Sequence, residues 1–233
     1  MKLGIMQPYF LPYIGYWQLL NIVDVFVIYD DVNYIKRGWI NRNRLLENGN
    51  AAYFNVFVKD SSQNRLINEM ERLRNDKMES KLLKRIFFCY KKAPYFQEIF
   101  PIIQTIILDE EENLSVYLLK SIKFIAEYLD IETSIIKSSD LDKNNFLKGQ
   151  EKILDICKKL GAEIYYNPIG GKALYDRQRF KKENIKLFFL NPVNIKYHQF
   201  ENEFVSSLSI MDMLMFNGKE KTKMFLSKFE LDY

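Results

Sequence analysis

Asp30 and Asp31 stand side by side directly after an apolar, β-branched run, Val25–Tyr29 (VFVIY). A carboxylate at the end of such a strand can bind a ribose hydroxyl, a magnesium ion or a substrate amine. Asp also favours capping a following turn or helix, which is the plainer use of the pair. Lys36, Arg37, Arg42 and Arg44 then bring four cations into nine residues with no acid among them, interleaved with Asn41 and Asn43. The planar fork of Arg pairs with two oxygens of a phosphate or carboxylate, and Asn offers both a donor and an acceptor. The run suits a phosphorylated or carboxylated ligand. A solvated basic face is the alternative, and the embedded Trp39 and Ile40 speak against it.

Three further places bear on chemistry. In Gln7–Tyr13 two prolines, Pro8 and Pro12, fix a loop after the first apolar segment, which lowers the cost of ordering it on a ligand. Gln7 offers an amide there, and Tyr9, Phe10 and Tyr13 either stack on a base or sugar or pack beneath the loop. Gly170 and Gly171 open GGK after another apolar segment, where bare backbone lets N–H groups approach an anion. The spacing is neither GxGxxG nor GxxxxGK[ST], so a tight turn explains these glycines equally well. His198 is the only histidine and hence the one imidazole for proton transfer near neutral pH, with Glu201 and Glu203 as carboxylate alternatives. No GxSxG, catalytic-triad or metal-ligand spacing is present, so no metal site is expected.

These residues need a scaffold, and the hydrophobic pattern supplies one. Lys2–Met6 reads as a strand, the stretch after Pro12 as a helix buried on most sides, and Val25–Tyr29 as a strand covered on both faces. Together they form a βαβ unit with a right-handed crossover. Ala52–Val58 reads as a third strand. From about residue 62 to 130 the periodicity is helical, with Leu114, Leu118, Ile122, Ile125 and Leu129 as one apolar stripe and Asn113 as its N-cap. The α/β alternation returns with Ser134–Ile136, a helix at Glu151–Leu160 closed by Gly161, strand Glu163–Tyr166, a short helix at Asp176–Lys182 and strand Lys186–Leu190. A Met-rich tail helix starts near Ser209. The expected architecture is α/β: a Rossmann-like, mostly parallel sheet with helices on both faces, one domain over 1–233 carrying a helical insertion at 62–130. Ligands of such sheets bind at the carboxyl ends of the strands.

Composition narrows the rest. With 34 basic and 30 acidic residues the net charge is only +4, far from the concentrated basic face of a nucleic-acid binder. Two distant cysteines make neither a disulfide framework nor a zinc site. No apolar run reaches the ~18 residues of a bilayer span. The expectation is a cytoplasmic protein without membrane insertion.

The blocks Met6–Leu20 (MQPYFLPYIGYWQLL), Asp24–Arg44 (DVFVIYDDVNYIKRGWINRNR), Gly170–Asp176 (GGKALYD) and Leu208–Gly218 (LSIMDMLMFNG) together resemble the WbqC-like proteins of bacterial polysaccharide gene clusters. The likeness spans nearly the whole chain. Some members carry His immediately before the Gln-Pro pair, where this chain has Met6. The resemblance implies a role in O-antigen assembly beside enzymes that make amino-sugar nucleotides, and transfer of glycine or another amino acid to a sugar amine. On that expectation Asp30, Asp31 or His198 orients the amine or takes its proton, and Lys36, Arg37, Asn41 and Arg42 hold the pyrophosphate. Gln7 and Tyr9 line the substrate, and Asn43 or the Gly170–Gly171 amides face the oxyanion. The partner is a nucleotide-linked amino sugar. The donor is an acyl carrier protein thioester, an aminoacyl-tRNA or an adenylate made with ATP and magnesium, and the residues leave that choice open. A non-catalytic nucleotide-sugar-binding or pathway-scaffold protein is the alternative. The strand, proline loop, helix and Asp-ended strand are also similar in form to the opening of class I aminoacyl-tRNA synthetases, but HIGH and KMSKS are absent.

Overall fold

The computed structural model describes residues 1–201 and 203–233. Strand β1 (Lys2–Met6) runs into the proline loop, helix α1 (Ile14–Ile22) and strand β2 (Val25–Ile28), and β1 and β2 pair in parallel. Strands β3 (Arg42–Glu47) and β4 (Asn50–Asn55) form a separate antiparallel hairpin. Helices α2 (Asp76–Tyr90), α3 (Phe96–Leu108) and α4 (Leu114–Tyr128) follow. Then come β5 (Ser134–Lys137), α5 (Gly149–Lys159), β6 (Ile164–Pro168), α6 (Arg177–Lys182), β7 (Lys186–Pro192), α7 (Ile210–Phe225) and β8 (Phe229–Asp232).

The main sheet has the order β5-β2-β1-β6-β7-β8. The first five strands are parallel and β8 joins antiparallel at the edge. Counting only the parallel strands, this is the doubly wound order 3-2-1-4-5, and it reverses between β1 and β6. Both faces are covered. Leu3, Ile5 and Val27 pack with Ile153, Ile156 and Cys157 of α5 and Phe180 of α6 on one side. Phe26 and Ile28 join α1, α7 and the α2–α4 helices on the other. This double coverage is why β2 is apolar at every position rather than alternating.

Helix α1 is buried over most of its length: Gly15 through Leu20 are all buried, and Asn21 near its end is exposed. Its Trp17 indole donates to the Pro12 carbonyl at 2.9 Å, tying the helix back to the loop that starts it. Buried Gln18 donates to the carbonyls of Phe225 and Lys228 at 2.9 and 2.8 Å, satisfying acceptors that the C-terminus of α7 leaves open. Ser209 caps α7 through Met211 N–H, and Asn113 caps α4 through Val116 N–H, both as the sequence suggests.

The strand at Ala52–Val58 is corrected in two respects. It is β4, starting at Asn50, and its partner is β3 rather than the main sheet. The reason is the Asn48–Gly49 turn, both residues at positive φ (50° and 75°), which is the two-residue hairpin geometry. Arg42–Arg44 therefore lie on a strand and not in a loop at the sheet edge. Among the described residues no helix is long and apolar enough to cross a membrane.

Candidate ligand edge of the sheet

The loop after β1 leaves the sheet at the point where the strand order reverses. It is held by three segments distant in sequence. Asn43 on β3 is buried and donates to the carbonyls of Phe10 and Leu11 at 3.0 and 2.9 Å. The Ser209 hydroxyl donates to Leu11 O at 2.8 Å, and Ile210 N–H to Pro12 O at 3.0 Å. Phe10 N–H donates to Trp39 O at 3.3 Å. Leu11 itself sits at φ +43°, a left-handed conformation that a buried, branched-chain residue adopts only when its surroundings over-determine it. Three of the blocks that carry the family likeness thus meet in one knot of hydrogen bonds around this loop. Tyr9 and Tyr13 remain half-buried beside it, and burial raises the pKa of both hydroxyls. The Gln7 carbonyl accepts from Tyr16 Oη at 3.3 Å.

Across the switch point, β6 ends in Asn167–Pro168 and turns through Gly170 and Gly171. Gly171 is buried, and a Cβ there would lie 2.0 Å from Asn167 Oδ1, so the position admits only glycine without rearrangement. Asn167 in turn donates to Tyr165 Oη at 2.8 Å. Gly170 is exposed, with open space where a side chain would stand. Lys172 is drawn away into an ion pair with Asp232 of β8 at 2.6 Å.

The two aspartates after β2 differ sharply. Asp30 is 0% exposed and its acceptors are engaged: Oδ1 takes the Ser139 N–H at 3.0 Å, and Oδ2 takes the hydroxyls of Ser115 and Ser139, each at 2.8 Å. It stitches β2 to α4 and to the turn after β5. The Asp31 side chain is 9% exposed and lies between two buried lysines, Lys143 Nζ at 2.7 Å and Lys152 Nζ at 2.9 Å. Burial alone would raise its pKa. The adjoining ammonium group of Lys143, the Ser138 hydroxyl and the ammonium group of Lys152 outweigh that and hold the carboxyl below its ordinary range. Lys152 also stands 5.2 Å from the ring centroid of Tyr29. The Tyr29 hydroxyl is pushed well up by burial and then by Asp31 and Tyr175.

The basic run lies on the hairpin side of the loop. Lys36 and Arg37 are exposed at a turn where Arg37 has φ +60°. Arg42 donates to the carbonyls of Gly38 (3.0 Å) and Arg37 and stacks over Tyr53 at 4.4 Å. Arg44 donates to Ser207 O at 2.8 Å and faces Trp39. Asn41 accepts from Tyr34 Oη and donates to Val56 O. None of these hydrogen bonds reaches Asp30 or Asp31. His198 is exposed in another groove, beside the Asn48–Gly49 turn and the end of α2, which contains neither strand-edge aspartate. Burial pushes the thiols of Cys89 and Cys157 up to about 11 and about 12, so neither supplies a thiolate near neutral pH.

Sequence reasoning missed Lys143 and Lys152, which lie in unremarkable polar stretches more than a hundred residues from Asp31. It also missed Asp212 on α7, fully buried and bonded to Tyr197 Oη (2.7 Å), Tyr90 Oη (2.9 Å) and Gln199 Nε2 (2.6 Å). A single acid inside the apolar run IMDMLMF was the readable sign of it.

A doubly wound parallel sheet with a pinned loop at its switch point, a glycine turn opposite and an ion-paired acid one strand away defines a Rossmann-like α/β protein. The chain belongs to the WbqC-like protein family, whose profile matches residues 7–224. It is similar to the uncharacterized protein Rv1507c of Mycobacterium tuberculosis (strain ATCC 25618 / H37Rv), 27% identical over 222 residues that make up 94% of this chain and 95% of that protein. No solved structure matches it.

Proposed function

We propose that this protein transfers an aminoacyl group, glycyl in the simplest case, to the amine of a nucleotide-linked amino sugar in the assembly of a bacterial surface polysaccharide. The observation that supports this best is the loop Gln7–Tyr13, held rigid at the switch point with the Gly170–Gly171 turn across from it. Rigid, aromatic and backbone-rich surfaces of this kind suit a sugar nucleotide.

The chemistry joins the amine nitrogen to the acyl carbon, breaks the bond from that carbon to its carrier, and releases the amine proton. The transition state carries a developing oxyanion that needs donors fixed in advance. Asn43 is already engaged with the loop carbonyls, so the Gly170–Gly171 amides are the better oxyanion donors. Asp30 has donors on both oxygens, so Asp31, ionised beside Lys143 and Lys152, is the better partner for the amine. Lys36 and Arg37, free of ion pairs, reach a phosphate more readily than Asn41 does.

The test is to incubate the protein with a dTDP-amino sugar and, separately, glycyl thioester carrier, glycyl-tRNA, or glycine with ATP and magnesium. A product heavier by one glycyl residue with any donor supports transfer, and none with all three rejects it. The engagement of Asp30, Asn41 and Asn43 within the fold favours a second reading, a non-catalytic nucleotide-sugar-binding or scaffold protein. Thermal stabilisation by the sugar nucleotide without turnover is its mark.

A further inference from the structure

Lys143 and Lys152 share one carboxylate. Lys143 follows the single helical turn at Ser138–Asp140, and Lys152 lies in the first turn of α5. Their ammonium groups meet the same oxygen, Asp31 Oδ2, with side-chain exposures of only 1% and 7%. Lys143 also donates to the Ser138 carbonyl, and Lys152 to the Asp31 carbonyl at 2.9 Å. Of the other charges nearby, Asp30 meets only neutral donors and the rest have partners of their own. Asp30 faces Ser115 and Ser139, Lys137 pairs with Asp140, Glu151 pairs with Arg179, and Asp155 accepts from Asn144 N–H. Two ammonium groups against one carboxylate give these three side chains a formal charge of +1, before the neighbouring buried carboxylate of Asp30 is counted.

An unbalanced charge held out of water is costly, and a single Lys–Asp pair would have avoided it. The excess cation lies at the carboxyl end of β2, one strand from the switch point. Dinucleotide-binding sheets keep an acid there for a ribose hydroxyl. Here that acid is occupied by two lysines, so ammonium groups stand where a free carboxylate would. The Asp31 oxygens are buried, and Tyr29, whose ring centroid lies 5.2 Å from Lys152 Nζ, keeps part of its surface in solvent, so solvent meets the cluster beside Tyr29.

We infer that Lys143, Asp31 and Lys152 form a subsite for a phosphate group of the ligand, with Lys152 contacting the phosphate and Lys143 holding Asp31 in place. Lys is a compact point charge suited to phosphate. The inference rests on the reading that ligand lies along this sheet edge, but on no transfer step. The phosphate belongs to a nucleoside diphosphate or to a free or sugar-borne phosphate, and the two are separable.

Thermal unfolding of the full chain decides it, at ionic strength fixed with sodium chloride and with added inorganic pyrophosphate or dTDP. At about a hundredfold excess over Kd the expected rise in Tm is about 5–10 °C for the unmodified protein. Lys152→Met, which leaves a neutral Asp31–Lys143 pair, melts no lower than the unmodified protein without ligand and loses the response. Lys152→Arg keeps the charge and at least part of the response. A larger effect of dTDP than of pyrophosphate names the nucleotide as the source, and equal effects name a free or sugar-borne phosphate. The inference is overturned if neither compound moves the Tm of the unmodified protein, or if Lys152→Met responds in full. Failure of glycyl transfer with this response intact removes the transferase reading and leaves the phosphate subsite supported.

Discussion

Asp31 and Asp212 are both carboxylates taken out of water, in opposite company. Asp31 at the sheet edge is faced by two ammonium groups, and its carboxyl is held below the ordinary range. Asp212 within α7 is faced only by neutral donors. Burial pushes its carboxyl up to about 6, although hydrogen bonds from Tyr197, Gln199 and Tyr90 pull the other way. A neutral donor offers a fraction of a charge and cannot replace the hydration that an ion loses. An ammonium can, and the pair at Asp31 over-compensates. The cation-rich carboxylate lies at the carboxyl end of β2. The cation-free one ties Tyr197 and Gln199, which precede α7, and Tyr90 of α2 to the core. Tyr90 Oη also accepts from Leu46 N–H at 2.8 Å, so the hairpin is joined to the same group.

The largest expected effect comes from removing the acid at the sheet edge. Asp31→Ala leaves two buried ammonium groups without a partner and should lower stability by about 3–5 kcal/mol, read from urea unfolding. Asp31→Asn keeps the shape but not the charge and should fall between that variant and the parent. Were Asp31→Ala to unfold at the same urea concentration as the parent, the cluster would not be the desolvated charge system described.

Next in size is Asp212. Its folded pKa lies above the unfolded value of 3.8. Its contribution is therefore fully present below pH ~4 and is lost as pH rises through about 6, a change of about 3 kcal/mol. Asp31 has the reverse sign: its contribution is present above the unfolded value and is lost as pH falls through the lower folded one. Asp212→Asn should erase the decline between pH 4 and 6 in a stability–pH curve and leave the acid limb below it unchanged. A decline that persists in Asp212→Asn belongs to another group. Asp212→Ala, which strands the three donors, should cost about 2–4 kcal/mol near pH 4 and less as pH rises through about 6.

Gly171→Ala tests the turn opposite the pinned loop. Its new methyl meets Asn167 Oδ1 at 2.0 Å, so either the turn or the asparagine must move. Crowding of this kind costs about 1–3 kcal/mol, and on the proposed function glycyl transfer should fall further than stability does. Gly170→Ala, with nothing in the way, should change stability little. Equal loss in the two variants would deny Gly171 its special place.

The sequence showed β1, β2, α1, α4 and the start of α7 because each carries a local signal: an apolar run, a period or a cap. The hairpin was hidden because Arg42-Asn43-Arg44 reads as a charge run. Its strand character comes from pairing with β4, and the Asn48-Gly49 dipeptide was the overlooked cue. Strand β8 is an edge strand whose short, mixed sequence gives no period. The Asp30–Asp31 pair was legible as a strand-end feature but its division of labour was not. Only the packing of α4 supplies Ser115 to one acid, and only the return of α5 supplies Lys152 to the other.

Arg42→Ala should have the smallest effect on the fold and sharpens the comparison most directly. Its guanidinium lies over Tyr53 and donates to two carbonyls of its own turn, all at a partly exposed surface. Contacts of that kind are worth about 1 kcal/mol or less. If the hairpin cations hold the ligand's diphosphate, Arg42→Ala weakens nucleotide-sugar binding by tenfold or more in calorimetric titration while barely changing the melting temperature. If the phosphate sits at Lys143 and Lys152 instead, binding is unchanged in Arg42→Ala and lost in Lys152→Met. The two residues belong to separate groups of contacts, Arg42 on the hairpin and Lys152 beside Asp31, so one pair of titrations decides which group carries the negative charge of the ligand.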